Sequence, residues 1–301
     1  MNTYTSLRIA GLASVVTALL IGCGGGSGMS NGNRTGTLGI SVTDAPVDGA
    51  TNVVVKFTAV EVKPEGGAPV MFNLSPARSI DLLALAGGGS AALLDGQTLP
   101  AGRYEWVRLL VAAQQNVPDS YIQMRTGQQY PLFIPSGEES GLKLNRGFTV
   151  AAGARTNFTI DFDLRRSVIA PPGQAPNYLL KPVLRIVDSL RVGILSGSVP
   201  AALIPSGCTP FIYVFSGANI LPDDLDAAPA PDVDPLVSVP VLLNNATGQF
   251  SFKVPFLEVG SYTVAFTCDG AKDTPEGEET LVFSPTVNVT INANQTVTIS
   301  L

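Results

Sequence analysis

The 301-residue sequence has no histidine, one tryptophan and three cysteines, and only 14% of its residues are charged. Without histidine there is no Ser-His-Asp or Cys-His catalysis and no His-containing zinc site. No long helical period follows the first two dozen residues, which argues against a helical bundle. A basic face is missing as well. The net charge is −6, so no nucleic-acid partner is expected. What the chain does have is 45% hydrophobic residues, with 31 glycines and 23 prolines set between short apolar runs. That is the pattern of an all-β protein with a packed core. Charge is unevenly spread: residues 191–301 hold 11 acids and 3 bases, whereas the remainder carries 15 bases against 13 acids. Two units with different surfaces follow from this.

The amino-terminal region gives an address. Arg8 precedes an apolar stretch from Ile9 to Ile21, long enough for a secretion signal and short for a membrane span. Leu20-Ile21-Gly22-Cys23 resembles the lipobox of bacterial lipoproteins. The resemblance implies that residues 1–22 are cleaved and that Cys23 is acylated, palmitate being a typical chain, so membrane lipid becomes a partner through Cys23. Gly24 in place of Asp points to the outer membrane of a two-membrane host. Residues 23–36, rich in Gly, Ser and Asn, read as a flexible tether. Cys208 and Cys268 remain as a pair able to form a disulfide in an oxidising compartment, closing a loop of about 60 residues.

Beyond the tether, Leu38, Ile40 and Val42 alternate with small polar residues, as in a half-buried strand. Val53, Val55 and Phe57 keep one parity, and Val60 and Val62 take the other. The slip predicts a bulge near Thr58-Ala59. Residues 80–86 predict a short helical turn. Strands are expected at 103–111, 121–125, 130–134, 148–150, 157–164 and 178–187.

SVTDAP (41–46), VVVKFTAVEVKP (53–64), LPAGRYEWVRLLV (99–111), IPSGEESGLKL (134–144), FTIDFDL (158–164) and YLLKPVLRIVD (178–188) together resemble the bacterial domain of unknown function 4382. That family is typically found on exported lipoproteins. Farther on, GQFSFKV (248–254) and GSYTVAF (260–266) resemble the carboxypeptidase regulatory-like, prealbumin-type sandwich. The resemblances imply two β-sandwich domains in tandem, residues 37–190 and 191–301, the second a spacer or adhesion-like module.

Four groups of residues offer chemistry. Ser140 and Lys143 form an S-x-x-K, which activates a serine when a helix puts both on one face. The surrounding residues predict a loop and strand instead. Asp161 and Asp163 share the outward parity of one strand, with Arg165 beside them as a neutralising charge. Tyr104, Trp106 and Arg108 fall on one side of theirs, a candidate ligand face for a glycan or envelope protein unless a second layer covers it. Asp223, Asp224, Asp226, Asp232 and Asp234 crowd one loop and are weak calcium candidates, without EF-hand spacing. The expectation is a lipid-anchored, non-enzymatic envelope protein needing no cofactor. Two alternatives stand beside it: a hydrolase using Ser140/Lys143 or Asp161/Asp163, and a calcium-stabilised adhesion module.

Overall fold

Leu38, Ile40 and Val42 are fully buried on strand Thr35–Ala45, as their alternation predicts. In the computed structural model, which describes residues 34–45, 49–134, 141–170, 177–181, 183–226, 233–275 and 277–301, this strand lies inside a four-stranded sheet. The order is Leu184–Asp188, Arg155–Asp163, Thr35–Ala45, Ala91–Pro100. Thr35–Ala45 runs parallel to Arg155–Asp163 and antiparallel to Ala91–Pro100.

A nine-stranded sheet faces it. Its long central strand, Ala50–Pro64, pairs with Val70–Asp81, Gly102–Ala112 and Tyr121–Met124. The register shifts between Phe57 and Ala59 against two of these neighbours. Val55 and Phe57 before the shift and Val60 and Val62 after it are all buried. The bulge therefore turns both halves of the strand onto one core. Phe57 meets Phe162 of the other sheet edge-on at 6.1 Å, so this core joins the two layers.

Three residues after Leu184–Asp188, strand Val192–Val199 opens a second pair of four-stranded sheets. One is ordered Leu242–Asn244, Gln249–Glu258, Val192–Val199, Thr296–Ser300. The other is ordered Val237–Pro240, Phe211–Ser216, Gly260–Thr267, Val287–Ile291. Ile212 and Val214 enter the core between these sheets. Phe211, Tyr213 and Phe215, on the opposite side of the same strand, form a separate apolar cluster with Ala265 and Phe283. The fold is thus all-β, two β-sandwiches in series. A Cys208–Cys268 disulfide braces the second.

Three local expectations need correction. The run 178–187 is two strands, Tyr178–Leu180 and Leu184–Asp188, in different sheets. The sequence places Pro182, which has no N–H for a ladder, between them. The helical turn at 80–86 contracts to a 3₁₀ turn, Leu83–Leu85. Strands Val70–Asp81 and Ala91–Pro100 have no counterpart in the sequence reading. Val70–Asp81 is an edge strand in which Val70, Phe72 and Leu74 alternate with exposed residues and pack against the core, and Pro76 breaks the pattern in its middle. Among the described residues, no helix is long and apolar enough to cross a membrane.

Candidate functional site

Strand Gly102–Ala112 does not present its aromatics together. Tyr104 is 1% exposed and stacks on Phe148 at 5.0 Å, inside the core with Val107 and Leu109. The cause is a register shift: Lys63 pairs with Trp106, and Pro64 pairs with Tyr104, skipping Glu105. The expected stripe of Tyr104, Trp106 and Arg108 is therefore reduced to Trp106 and Arg108. Lys143, across the ladder from Arg108, completes the outer face. The Arg108 guanidinium lies 4.9 Å from the Trp106 ring centre and the Lys143 ammonium 4.6 Å. Glu61 partly balances them, 3.4 Å from Arg108. A half-buried indole between two cations results.

Lys143 sits on strand Leu142–Leu144. Its S-x-x-K partner, Ser140, lies outside the described residues, as do Cys23 and Asp232.

The paired aspartates are each tied down. Arg185 donates to Asp161 Oδ2 at 2.6 Å, and burial pushes the Asp161 carboxyl up against that pull. Asp163 accepts from the backbone N–H of Arg166 at 3.2 Å and from its Nε at 2.7 Å, capping the single turn Leu164–Ser167. Because the strand ends at Asp163, Arg165 leaves the expected face. It does not neutralise the two aspartates.

Arg165 instead enters the second sandwich. Its Nη1 donates to Asp273 Oδ2 at 2.8 Å and to Tyr213 Oη and Ser238 Oγ at 3.2 Å each. Its Nη2 donates to the Gly270 carbonyl at 2.6 Å. The guanidinium lies 4.4 Å from the Phe211 ring centre. Arg165 and Asp273 side chains are 6% and 0% exposed. Any side chain at Gly270 would collide with the Phe211 ring, so glycine is required for this close approach. Asp273 also accepts from the Tyr213 hydroxyl through Oδ2 and from the Leu225 N–H, at 2.9 Å, through Oδ1. Burial raises the Tyr213 hydroxyl pKa, which keeps it a donor.

Beside this clamp a cleft of about 460 Å³ opens between the sandwiches. Lys143, Arg146, Arg166 and Arg185 line it with Asp161 and Asp163, and Leu236 and Val237 close it from the second sandwich. Arg146 spans the junction, donating to Glu258 Oε1 at 2.8 Å and to the Ile186 carbonyl at 2.6 Å.

The aspartate loop divides. The Asp226 N–H donates to Asp234 Oδ1 at 3.2 Å, and burial raises the Asp234 carboxyl. Asp223 and Asp224 instead meet acids from beyond Cys268. Carboxylate oxygens of Asp223, Asp224 and Glu278 lie within 4.8 Å of one another, as do those of Asp224, Asp273 and Glu279. Asp273, Glu278 and Glu279 were missed in the sequence because they follow the strand Gly260–Thr267 rather than the loop. The acid-rich run after that strand was the available signal.

Solved structures give distant likenesses. A leucine-rich repeat protein from Bacteroides thetaiotaomicron matches at TM-score 0.22 and 12% identity, over 89% of this chain and 26% of its own. The Bacillus anthracis TIE protein matches at 0.19 and 14%, over 89% of this chain and 34% of its own. GBS52, the minor pilin of Streptococcus agalactiae, matches at 0.21 and 10%, over 87% and 94%. The chain thus spans about a quarter to a third of the first two. No curated protein matches. Residues 35–182, which make up most of the first sandwich together with Asp161, Asp163, Arg165 and the Trp106 face, match the family model of the domain of unknown function DUF4382.

Proposed function

We propose that the chain is a lipid-anchored envelope protein whose two sandwiches form a rigid, non-enzymatic binding or structural module. The reading rests on how its charged side chains are engaged. Asp161, Asp163 and Lys143 are held by Arg185, Arg166 and the Trp106 ring. Arg165 is buried as a bolt between sandwiches. Such side chains are fixed in place rather than poised for proton transfer. The half-buried Trp106–Arg108 pair with exposed Lys143 is the surface offered to a glycan or envelope protein, since an aromatic flanked by cations suits polar, partly apolar partners.

The anchor is tested by growing cells with an alkyne fatty acid. The wild-type chain takes up label and Cys23→Ser does not; label on both variants or on neither overturns the anchor. Binding is tested by pull-down of envelope fractions. Lys143→Ala, at the exposed position of this face, loses the captured partner while its melting temperature stays within about 1 °C, as expected of a surface change.

A further inference from the structure

We infer that Asp223, Asp224 and Glu278 form a calcium site on the loops that cover the outer face of the second sandwich. The three carboxylates converge from two separate segments, with their oxygens within 4.8 Å. Asp224 is 2% exposed, yet its Oδ1 is sealed from solvent and takes no hydrogen bond among the described residues. A buried carboxylate with one oxygen unbonded, set beside two other carboxylates, has lost hydration and gained repulsion, and a bound cation reverses both. The other oxygen, Oδ2, accepts from the Glu279 N–H, which aligns the carboxylate without satisfying Oδ1.

Asp273 and Glu279, though close to Asp224, are already engaged. Asp273 holds Arg165, Tyr213 and the Leu225 N–H. Glu279 accepts from the Thr274 N–H at 3.0 Å and from its hydroxyl at 2.9 Å. They build the wall; Asp223, whose Oδ1 accepts from the Asp224 N–H at 3.1 Å, supplies ligands with Asp224 and Glu278, as the convergence of these three carboxylates and the unbonded Oδ1 of Asp224 indicate. An all-oxygen donor set on two irregular loops suits calcium, which tolerates uneven geometry and fills remaining positions with water. Magnesium demands a near-ideal octahedron. The site goes beyond the reading as a binding module and does not depend on it.

The test is thermal unfolding and calorimetric titration of the purified full chain with CaCl₂ against EGTA. Calcium raises the wild-type melting temperature by about 2–4 °C at a concentration ten times its dissociation constant. Glu278→Gln, on an exposed ligand, melts like the wild type in EGTA and binds calcium about tenfold more weakly. Asp224→Asn melts no lower than wild type in EGTA and loses the calcium response. No calcium-dependent shift or heat in the wild type overturns the site. So does an undiminished response in Glu278→Gln and Asp224→Asn, which would place calcium elsewhere.

Discussion

Arg165 is the residue on which the union of the two sandwiches turns. Removing one partner of a buried, hydrogen-bonded pair leaves an uncompensated charge and costs about 3–5 kcal/mol. Arg165→Ala should lower stability by that amount in denaturant titrations. Arg146→Ala, which breaks an exposed pair with Glu258 and a hydrogen bond to the Ile186 carbonyl, should cost less, about 1–2 kcal/mol. Asp269 gives a pH signature. Lys272 and the Val282 N–H hold its carboxyl below the usual range. Its stabilisation is therefore present above the unfolded value near 3.9 and lost as pH falls through the lower folded value. Asp269→Asn should flatten the acid limb of melting temperature against pH; an unchanged limb would remove Asp269 from the account. None of this was legible in the sequence. Parity put Arg165 beside Asp161 and Asp163, and only the helical turn capped by Asp163 redirects it.

At the scale of elements, both sandwiches repeat one device. In Gly102-Arg103-Tyr104 and Gly260-Ser261-Tyr262 the tyrosine hydroxyl reaches back four residues, to the Pro100 carbonyl at 2.9 Å and the Glu258 carbonyl at 2.7 Å. Each bond ties a strand start to the preceding turn, as in a tyrosine corner. Tyr104→Phe and Tyr262→Phe should each cost about 1 kcal/mol, measured by chemical denaturation. Where alternation was clean, as at Leu38–Val42, or slipped once, as at Phe57–Val60, the sequence was enough to place strand and bulge. It misplaced Tyr104 because the second slip, at Glu105, falls among residues polar and aromatic enough to read on either face. It missed Val70–Asp81 because the alternation of Val70, Phe72 and Leu74 is short, with exposed Met71 among them, and stops at Pro76.

Across the whole molecule, the charge contrast between the two parts of the sequence becomes a contact. A first sandwich of balanced charge, 13 bases against 13 acids over residues 37–190, places Arg165 and Arg146 against an acidic second one, whose Asp273 and Glu258 receive them. The Cys208–Cys268 bond encloses Asp223 and Asp224 but not Asp273 or Glu278. It restrains one of the two loops at the Arg165 clamp. Replacing both cysteines with serine should lower stability by up to about 4 kcal/mol through the longer free loop of the unfolded chain. The pairing of these cysteines was legible as a possibility of export. The meeting of acids from 223–224 with those from 273–279 was not, because it depends on which loops cover the Phe211–Ser216 strand.

Differential scanning calorimetry of the wild type and Arg165→Ala tests the central claim most directly, that the two sandwiches are bolted into one body. The wild type should unfold in a single cooperative transition and the variant in two separable ones. Two independent transitions in the wild type, unaltered by the substitution, would contradict it.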